Sequence, residues 1–340
     1  MLRFAAIGLD HAHIFDHVRG LRAAGAECVG FDPATTDPGV LRGFREQFPD
    51  VPEVERERLL DDAGIDVICT AAIPRDRPLV AIEAMRRGKD VMVDKPGCIS
   101  LDQLEAVRKT VAETGRIFSV CFSERHCVPS AVLAGKLVAD GAIGDVVQTV
   151  GLGPHRINRP VRPSWFFEPD AIGGIINDIA SHQVDQFLFY TGSHTAEVVA
   201  SSVGNFANPQ NPAFEDFGEM TLRSSSATGY IRVDWYTPDG LPVWGDGRLT
   251  ILGTKGYIEL RKYIDIAGRP GDNHLFIADG STARHIDASG EPLDYFTRFI
   301  ADVRDRTETA MTQHHTFETT RLALEAQRDA VRLAPRGTEN

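Results

Sequence analysis

The chain is poor in the features that mark stapled, membrane-spanning or nucleic-acid-binding proteins. It holds 5 cysteines in 340 residues. Cys28, Cys69, Cys98, Cys121 and Cys127 are odd in number, widely spaced and mostly inside apolar strand-like runs. They suggest neither a disulfide framework nor a zinc-ligand set, and they read as reduced core residues. No apolar run approaches the roughly 18 residues that span a bilayer. Basic residues are in deficit, 36 Lys and Arg against 48 Asp and Glu, for a net charge of -12. That balance argues against nucleic acid and anionic membrane as partners, because both demand clustered cations. A small-molecule partner is expected instead. The chain enters an apolar strand at Leu2–Ile7 with no charged-then-apolar leader, so the expected location is cytoplasmic. Internal repeats and low-complexity tracts are also missing.

What is present is material for a large core: 42% of residues are hydrophobic and 25% charged. The length makes two domains the natural expectation. Over residues 1–125 strand and helix alternate as in a parallel sheet. Strands are predicted at Leu2–Ile7, Glu27–Phe31, Asp66–Ala71, Asp90–Val93 and Ile117–Phe122. Helices follow to about Ala24, around Pro78–Arg87, and from a capping box at Ser100 and Gln103 to Gly115. Over residues 126–335 the texture changes. One helix is expected to about Asp140, then a helix over 173–185. Strands of a mainly antiparallel sheet follow at 197–206, 216–223, 227–235, 248–252 and 256–261, with a hairpin turn at Ser224–Ser226. Helices at about 293–305 and 316–333 close the chain, the last expected to pack back on the first domain. A disordered tail is expected from Pro335 to Asn340. The predicted fold class is therefore α/β, a doubly wound parallel sheet followed by an α/β domain with an open, mainly antiparallel sheet.

The first strand, a glycine turn and a helix form the place where a dinucleotide pyrophosphate sits. In Gly8-Leu9-Asp10-His11-Ala12-His13 only the first glycine of G-x-G-x-x-G is kept. Asp10 and His13 occupy the positions of the second and third glycines, so Asp10 is expected to bring a Cβ and a negative charge toward the pyrophosphate. His11, His13 and His17 could offset that charge or donate to phosphate. Asp32 ends the second strand about 24 residues after Gly8, where an acid bonds the ribose 2′-OH and repels a 2′-phosphate, favouring NAD over NADP. Asp32-Pro33 can equally be a simple turn.

Two further constellations carry chemistry. Val93-Asp94-Lys95-Pro96 ends the fourth strand, at the sheet edge where open α/β folds bind ligands; an ammonium there can hold a substrate hydroxyl and favour its alkoxide. On the helix over 173–185, His182 lies about 40° and Asp185 about 20° from Asp178, with Ile176, Val184 and Phe187 opposite. A carboxylate four residues from an imidazole can stabilise the imidazolium of a base that takes an alcohol proton. As an ordinary i,i+4 surface pair the same residues would contribute only about 0.2–0.5 kcal/mol.

The order of nucleotide loop, D-K-P, Gly-Ala-Ile-Gly (141–144), G-G-x-x-x-D-x-x-x-H-x-x-D (173–185) and Leu-Thr-Ile-Leu-Gly-Thr-Lys-Gly (249–256) resembles the Gfo/Idh/MocA family of glucose–fructose and inositol dehydrogenase-like oxidoreductases, over about residues 2–333. The resemblance implies a Rossmann domain and a second domain whose open sheet often forms a homo-oligomer interface, in a homodimer or homotetramer. It implies hydride exchange between NAD and a hydroxyl-bearing carbon of a sugar, cyclitol or related polyol. By position, Lys95 would polarise the reacting oxygen, His182 would be the general acid/base, and Asp178 would line the substrate pocket. Asp94, where the family usually has glutamate, would stand near the nicotinamide ribose. Ala72 and Ile73 would lie along the cofactor with Gly8, Leu9, Asp10, His11, His13, Asp32 and Lys95. The family's Thr-Pro-Asn after the third strand is Ile-Pro-Arg here.

Residues 154–167 concentrate Arg156, Arg159, Arg162, Trp165, Phe166 and Phe167 just before the site helix. Aromatic faces suit sugar C–H faces and arginine forks suit acid groups, so Arg156, Arg159 and Trp165 are candidate substrate contacts; a solvated or subunit-contacting loop is the competing reading. Two other functions stay open: a non-catalytic sugar- or nucleotide-binding relative, and a metal-dependent enzyme built on Asp10, His11, His13 and His17. The leading reading includes no metal.

Overall fold

Five short runs of apolar, often β-branched residues build the first sheet. They are β1 (Arg3–Leu9), β2 (Glu27–Phe31), β3 (Val67–Ala71), β4 (Asp90–Asp94) and β5 (Phe118–Cys121). All pair in parallel, in the order β2-β1-β3-β4-β5. Every residue of β3, β4 and β5 is buried, as strands covered on both faces require. The computed structural model describes residues 1–334, so the expected tail from Pro335 lies outside the described residues. The chain divides into two units, the first formed by Met1–Cys121, Asp170–Gly173 and Asp294–Thr320, the second by Phe122–Pro169, Gly174–Leu293 and the chain from Arg321.

In the first unit the helices are α1 (Ile14–Ala23), α2 (Pro38–Gln47), α3 (Arg56–Asp61), α4 (Arg77–Arg86) and α5 (Leu101–Thr114). The capping box of α5 forms: Gln103 N–H donates to Ser100 Oγ at 3.2 Å, and Ile99 N–H donates to Gln103 Oε1 at 2.9 Å. Gly115 closes the helix in the left-handed region at φ 64°. The sequence reading passed over α2 and α3. The first carries a plain start signal, since the Asp37 side chain accepts from Gly39 and Val40 ahead of Pro38.

The second unit opens with α6 (Ser123–His126) and α7 (Pro129–Ala139). Its strands are β6 (Val146–Pro154), β7 (Glu197–Gly204), β8 (Phe217–Arg223), β9 (Thr228–Asp234), β10 (Arg248–Gly253), β11 (Gly256–Arg261), β12 (His274–Asp279), β13 (Ala283–Asp287) and β14 (Val331–Leu333). They form one sheet in the order β13-β12-β11-β10-β6-β9-β8-β7-β14, antiparallel except where β6 meets β9 and β14 meets β7. Period-two residues Leu249, Ile251, Ile258, Leu260, Leu275 and Ile277 face Val128, Ala131 and Ala134 in one apolar core. A one-turn α8 (Pro169–Ile172), most of which belongs to the first unit, a π-helical turn over Ile176–Ala180 and α9 (Ser181–Thr191) precede the sheet's later strands; of the helices that follow them, α10 (Tyr295–Asp305) belongs to the first unit and α11 (Gln313–Arg328) begins in the first and ends in the second.

Four strands escaped the sequence reading. β6 hides because Gly151 and Gly153 blank its alternation, and both face Gln183: an added Cβ would lie 2.8 and 3.0 Å from that side chain. β12 and β13 lie beyond a Gly- and Pro-bearing loop and have a mixed pattern. The closing helix ends at Arg328, and Val331–Leu333, expected to be helical, is instead the edge strand β14 beside β7. Among the described residues no helix is long and apolar enough to cross a membrane. Among the described residues the five cysteines form no disulfide.

Candidate active site

In the first unit the ends of β1, β3 and β4 make a charged corner. Gly8 turns at φ +77°, and an added Cβ would stand 2.6 Å from Ala72 Cβ, so the turn of the first glycine is retained where β1 ends. Asp10 departs from expectation. Its Oδ1 accepts from Thr36 N–H and Thr36 Oγ1, both at 2.7 Å, with Thr35 Oγ1 at 3.0 Å. The carboxylate therefore ties the loop after β1 to the loop after β2. Asp32, buried at the end of β2, accepts from Ala34 N–H at 3.2 Å, and burial raises its carboxyl above the ordinary range.

The histidines of the loop gather on Asp94, not on Asp10. His13 Nδ1 lies 3.0 Å from Asp94 Oδ1 and His11 Nδ1 3.7 Å from Oδ2. Arg77, 1% exposed, donates to Asp94 Oδ2 at 2.9 Å, to the Ala72 carbonyl at 2.8 Å, and to the carbonyls of Asp94, Lys95 and Pro96. One guanidinium thus clamps the end of β3 to the D-K-P corner, whose Lys95–Pro96 peptide is cis. Burial works against the Asp94 charge, yet Arg77, His13 and His11 outweigh it and hold the carboxyl well below its usual range. Burial, with His13 beside it, holds the His11 imidazole well below its own. Lys95 is buried in the same corner. Arg77 was missed in the sequence, where a helix-start arginine carries no distinguishing signal.

In the second unit the helix expected over 173–185 begins only at Ile175, because Gly173 and Gly174 turn at positive φ ahead of it; it is buried from there to Asp185, and the turn carrying Asp178 is π-helical. A π turn takes more residues per revolution than an α turn, so the angles expected from uniform α geometry do not hold between Asp178 and His182. Asp178 and His182 are 8% and 3% exposed. His182 meets the Phe122 ring edge-on at 6.3 Å between centroids. Asp185 is committed elsewhere: its oxygens accept from Arg125 Nε and Nη2 at 2.7 Å each, and Arg125 stacks over Phe189.

Glu124, which no spacing or motif singles out, is a further buried acid of this region. Its Oε2 accepts from Lys262 Nζ at 2.5 Å and from Gln183 Nε2 at 3.0 Å, with Lys262 also 3.1 Å from Gln186 Oε1. Burial presses the Glu124 carboxyl upward, but Lys262, then His182 and His155, bring it down to about 2.

The arginines of 154–167 hold loops. Arg156 Nη2 donates to the carbonyls of Pro238 and Leu241, and Arg159 donates to the side chains of Asn208 and Asn211 while stacking on Phe167. Arg162 lies over Phe166 at 4.3 Å and donates to the Ile157 carbonyl. Burial lowers its guanidinium, and the Asp178 charge acts in the opposite direction. Trp165 is buried and packs edge-on to Phe166. The two later motif segments come together, since Lys255 N–H donates to the Ile143 carbonyl and Thr254 N–H to that of Asp145.

The retained glycine turn, the sheet-edge acid Asp32 and an Asp10 held by the threonine pair fit a dinucleotide, and with the parallel sheet they define a Rossmann-domain oxidoreductase. Residues 41–122 match the oxidoreductase family with NAD-binding Rossmann fold, and residues 132–259 match the GFO/IDH/MocA C-terminal domain. The chain belongs to this Gfo/Idh/MocA family. A solved putative oxidoreductase from Erwinia carotovora atroseptica is 47% identical and superposes with a TM-score of 0.95, over 98% of this chain and all of that one. The scyllo-inositol 2-dehydrogenase (NAD(+)) of Bacillus subtilis is 26% identical over 84% of this chain and 82% of its own. A second B. subtilis relative, scyllo-inositol 2-dehydrogenase (NADP(+)) IolW, is 25% identical over 52% of this chain and 48% of its own.

Proposed function

We propose that the protein is an NAD(H)-dependent dehydrogenase or reductase acting on a hydroxyl-bearing carbon of a sugar, cyclitol or related polyol. Bound NAD would supply the hydride acceptor. Lys95 would hold the reacting oxygen and stabilise its developing negative charge. His182 would take the hydroxyl proton during oxidation and return it during reduction. Asp178 would line the substrate pocket. The observation that carries the reading is the setting of His182, a buried imidazole within electrostatic reach of the buried acid Glu124, an attraction that favours the imidazolium that forms as the alcohol loses its proton. Gly8, Leu9, Asp10, His11, His13, Asp32, Ala72, Ile73 and Asp94 would line the cofactor. Asp32 supports NAD over NADP, because a carboxylate repels a 2′-phosphate. Self-association as a dimer or tetramer is supported by the family resemblance and by the cross-strand pair Leu252 and Tyr257, left 41% and 46% exposed on the open sheet.

The test is NAD+ reduction followed at 340 nm across cyclitols, aldoses and sugar acids. A substrate should emerge, and Lys95→Ala and His182→Ala should each lower kcat/KM by about 100-fold or more while the fold survives. Turnover that persists in both variants would remove these roles.

A further inference from the structure

His11, His13 and Asp94 each place one ligand atom within 4.8 Å of the other two. We infer that they form a binding site for a divalent transition-metal ion of the zinc class, held by two imidazoles and one carboxylate at the start of α1.

The distances carry the inference. An ion about 2.0–2.1 Å from tetrahedral ligands sets those ligands about 3.3 Å apart. The His13 Nδ1 to Asp94 Oδ1 separation of 3.0 Å and the His11 Nδ1 to Asp94 Oδ2 separation of 3.7 Å bracket that value. The two imidazoles already meet edge to face, 4.1 Å between centroids, and binding would turn the His11 Nδ1 lone pair onto the ion and away from the His13 N–H that donates to it at 3.3 Å. Asp94 has a supporting partner of the kind metal-bound carboxylates have, since Arg77 grips Oδ2 and the surrounding carbonyls. Behind the pair, His17 is 2% exposed and its Nδ1 has no hydrogen-bond partner among the described residues.

Two nitrogens and one carboxylate oxygen leave coordination positions open for an outside oxygen ligand, as in sites that do chemistry and unlike closed structural sites. Arg77 and Lys95 are opposing charges that the single Asp94 carboxylate does not outweigh, so the bonds from imidazole and carboxylate to the ion must supply the affinity. The set differs from the one the sequence suggested. Asp10 is locked to Thr35 and Thr36, and Asp94, about 80 residues away along the chain, replaces it. Occupation would also put positive charge where the nucleotide loop lacks two glycines.

The test uses the full chain purified without a histidine tag, free of nucleotide and substrate, titrated with Co2+ as a spectroscopic stand-in for Zn2+. One Co2+ per chain is expected, with visible d–d bands and displacement by Zn2+. His11→Ala and His13→Ala should each weaken binding at least tenfold, with far-UV circular dichroism unchanged. Should one of them misfold, His11→Gln serves in its place. Absence of stoichiometric uptake, or equal affinity in wild type and the folded variants, overturns the site. Because the readout involves no turnover, it is independent of the proposed reaction.

Discussion

Lys262→Met probes the buried polar heart of the second unit. Lys262 and Glu124 are 1% and 3% exposed at the side chain and 2.5 Å apart. Glu124 titrates at about 2 in place of its ordinary 4.5, even though burial presses it upward. At 1.36 kcal/mol per unit that shift corresponds to about 3 kcal/mol of linked stability. The folded-state value is depressed, so this contribution is fully present above about pH 4.5 and is lost as pH falls from there toward 2. Removing the ammonium leaves a carboxylate buried beside Gln183 and the imidazoles of His182 and His155, and uncompensated buried charges cost about 3–5 kcal/mol.

Between pH 7 and 5 the variant should acquire a pH dependence that this pair does not give the wild type. Without Lys262 the folded protein is stabilised by a proton on Glu124 or on a neighbouring imidazole, so stability should rise as pH falls from 7 to 5. In wild type this pair adds no slope over that range. Urea unfolding followed by far-UV circular dichroism at pH 7, 6 and 5 reads both effects. Lys262→Met combined with Glu124→Leu should recover most of the loss, because an apolar pair of similar volume often replaces a buried ion pair without penalty. A single-variant loss below about 1 kcal/mol, or stability falling with pH in parallel with wild type, would refute the reasoning.

Asp32→Ser should move cofactor preference toward NADP(H) by at least tenfold, read as the ratio of NADPH to NADH dissociation constants from nicotinamide fluorescence; an unchanged ratio detaches Asp32 from the ribose. Gly8→Ala should cost about 1–3 kcal/mol, since it forces a side chain into positive φ with its Cβ 2.6 Å from Ala72, and should weaken NADH binding. A thermal midpoint equal to wild type would contradict that. Asp185→Asn should cost about 3–5 kcal/mol by leaving the Arg125 guanidinium buried against a neutral amide, and the damage should appear in the unfolding midpoint while KM stays near wild type.

The fold was legible wherever local chemistry and period agreed. The five parallel strands, the Ser100 cap and the Gly115 stop all announce themselves within a few residues. β6 was lost because Gly151 and Gly153 serve a neighbour, Gln183, and that purpose leaves no trace in β6 itself. Asp178 and His182 could be picked out because the spacing and the ordered motifs coincide. Glu124, Lys262 and Arg77 could not, because each matters through a partner far away in the chain: Lys262 lies 138 residues from Glu124, and Arg77 lies 17 from Asp94. Buried pairs of this kind look like ordinary surface charges in a linear reading.

The nucleotide loop shows how a departure from a motif can be absorbed without losing the site. Glycines at the second and third positions let backbone approach a pyrophosphate and let helix pack on strand. Here Asp10 and His13 bring side chains to those positions, and each is given a partner: Asp10 the threonine pair after β2, His13 the carboxylate ending β4. The loop is thereby tied to two neighbouring strand ends by polar contacts where glycines would have tied it by close packing. That exchange carries a cost in charge, because Asp94 must satisfy His11, His13 and Arg77 together. A carboxylate so surrounded by donors does not tolerate neutral substitution, and Asp94→Asn should therefore loosen the whole corner. NADH affinity and thermal midpoint should fall together, whereas Asp94→Glu, which keeps the charge and restores the family's usual residue, should spare the midpoint better than Asp94→Asn does.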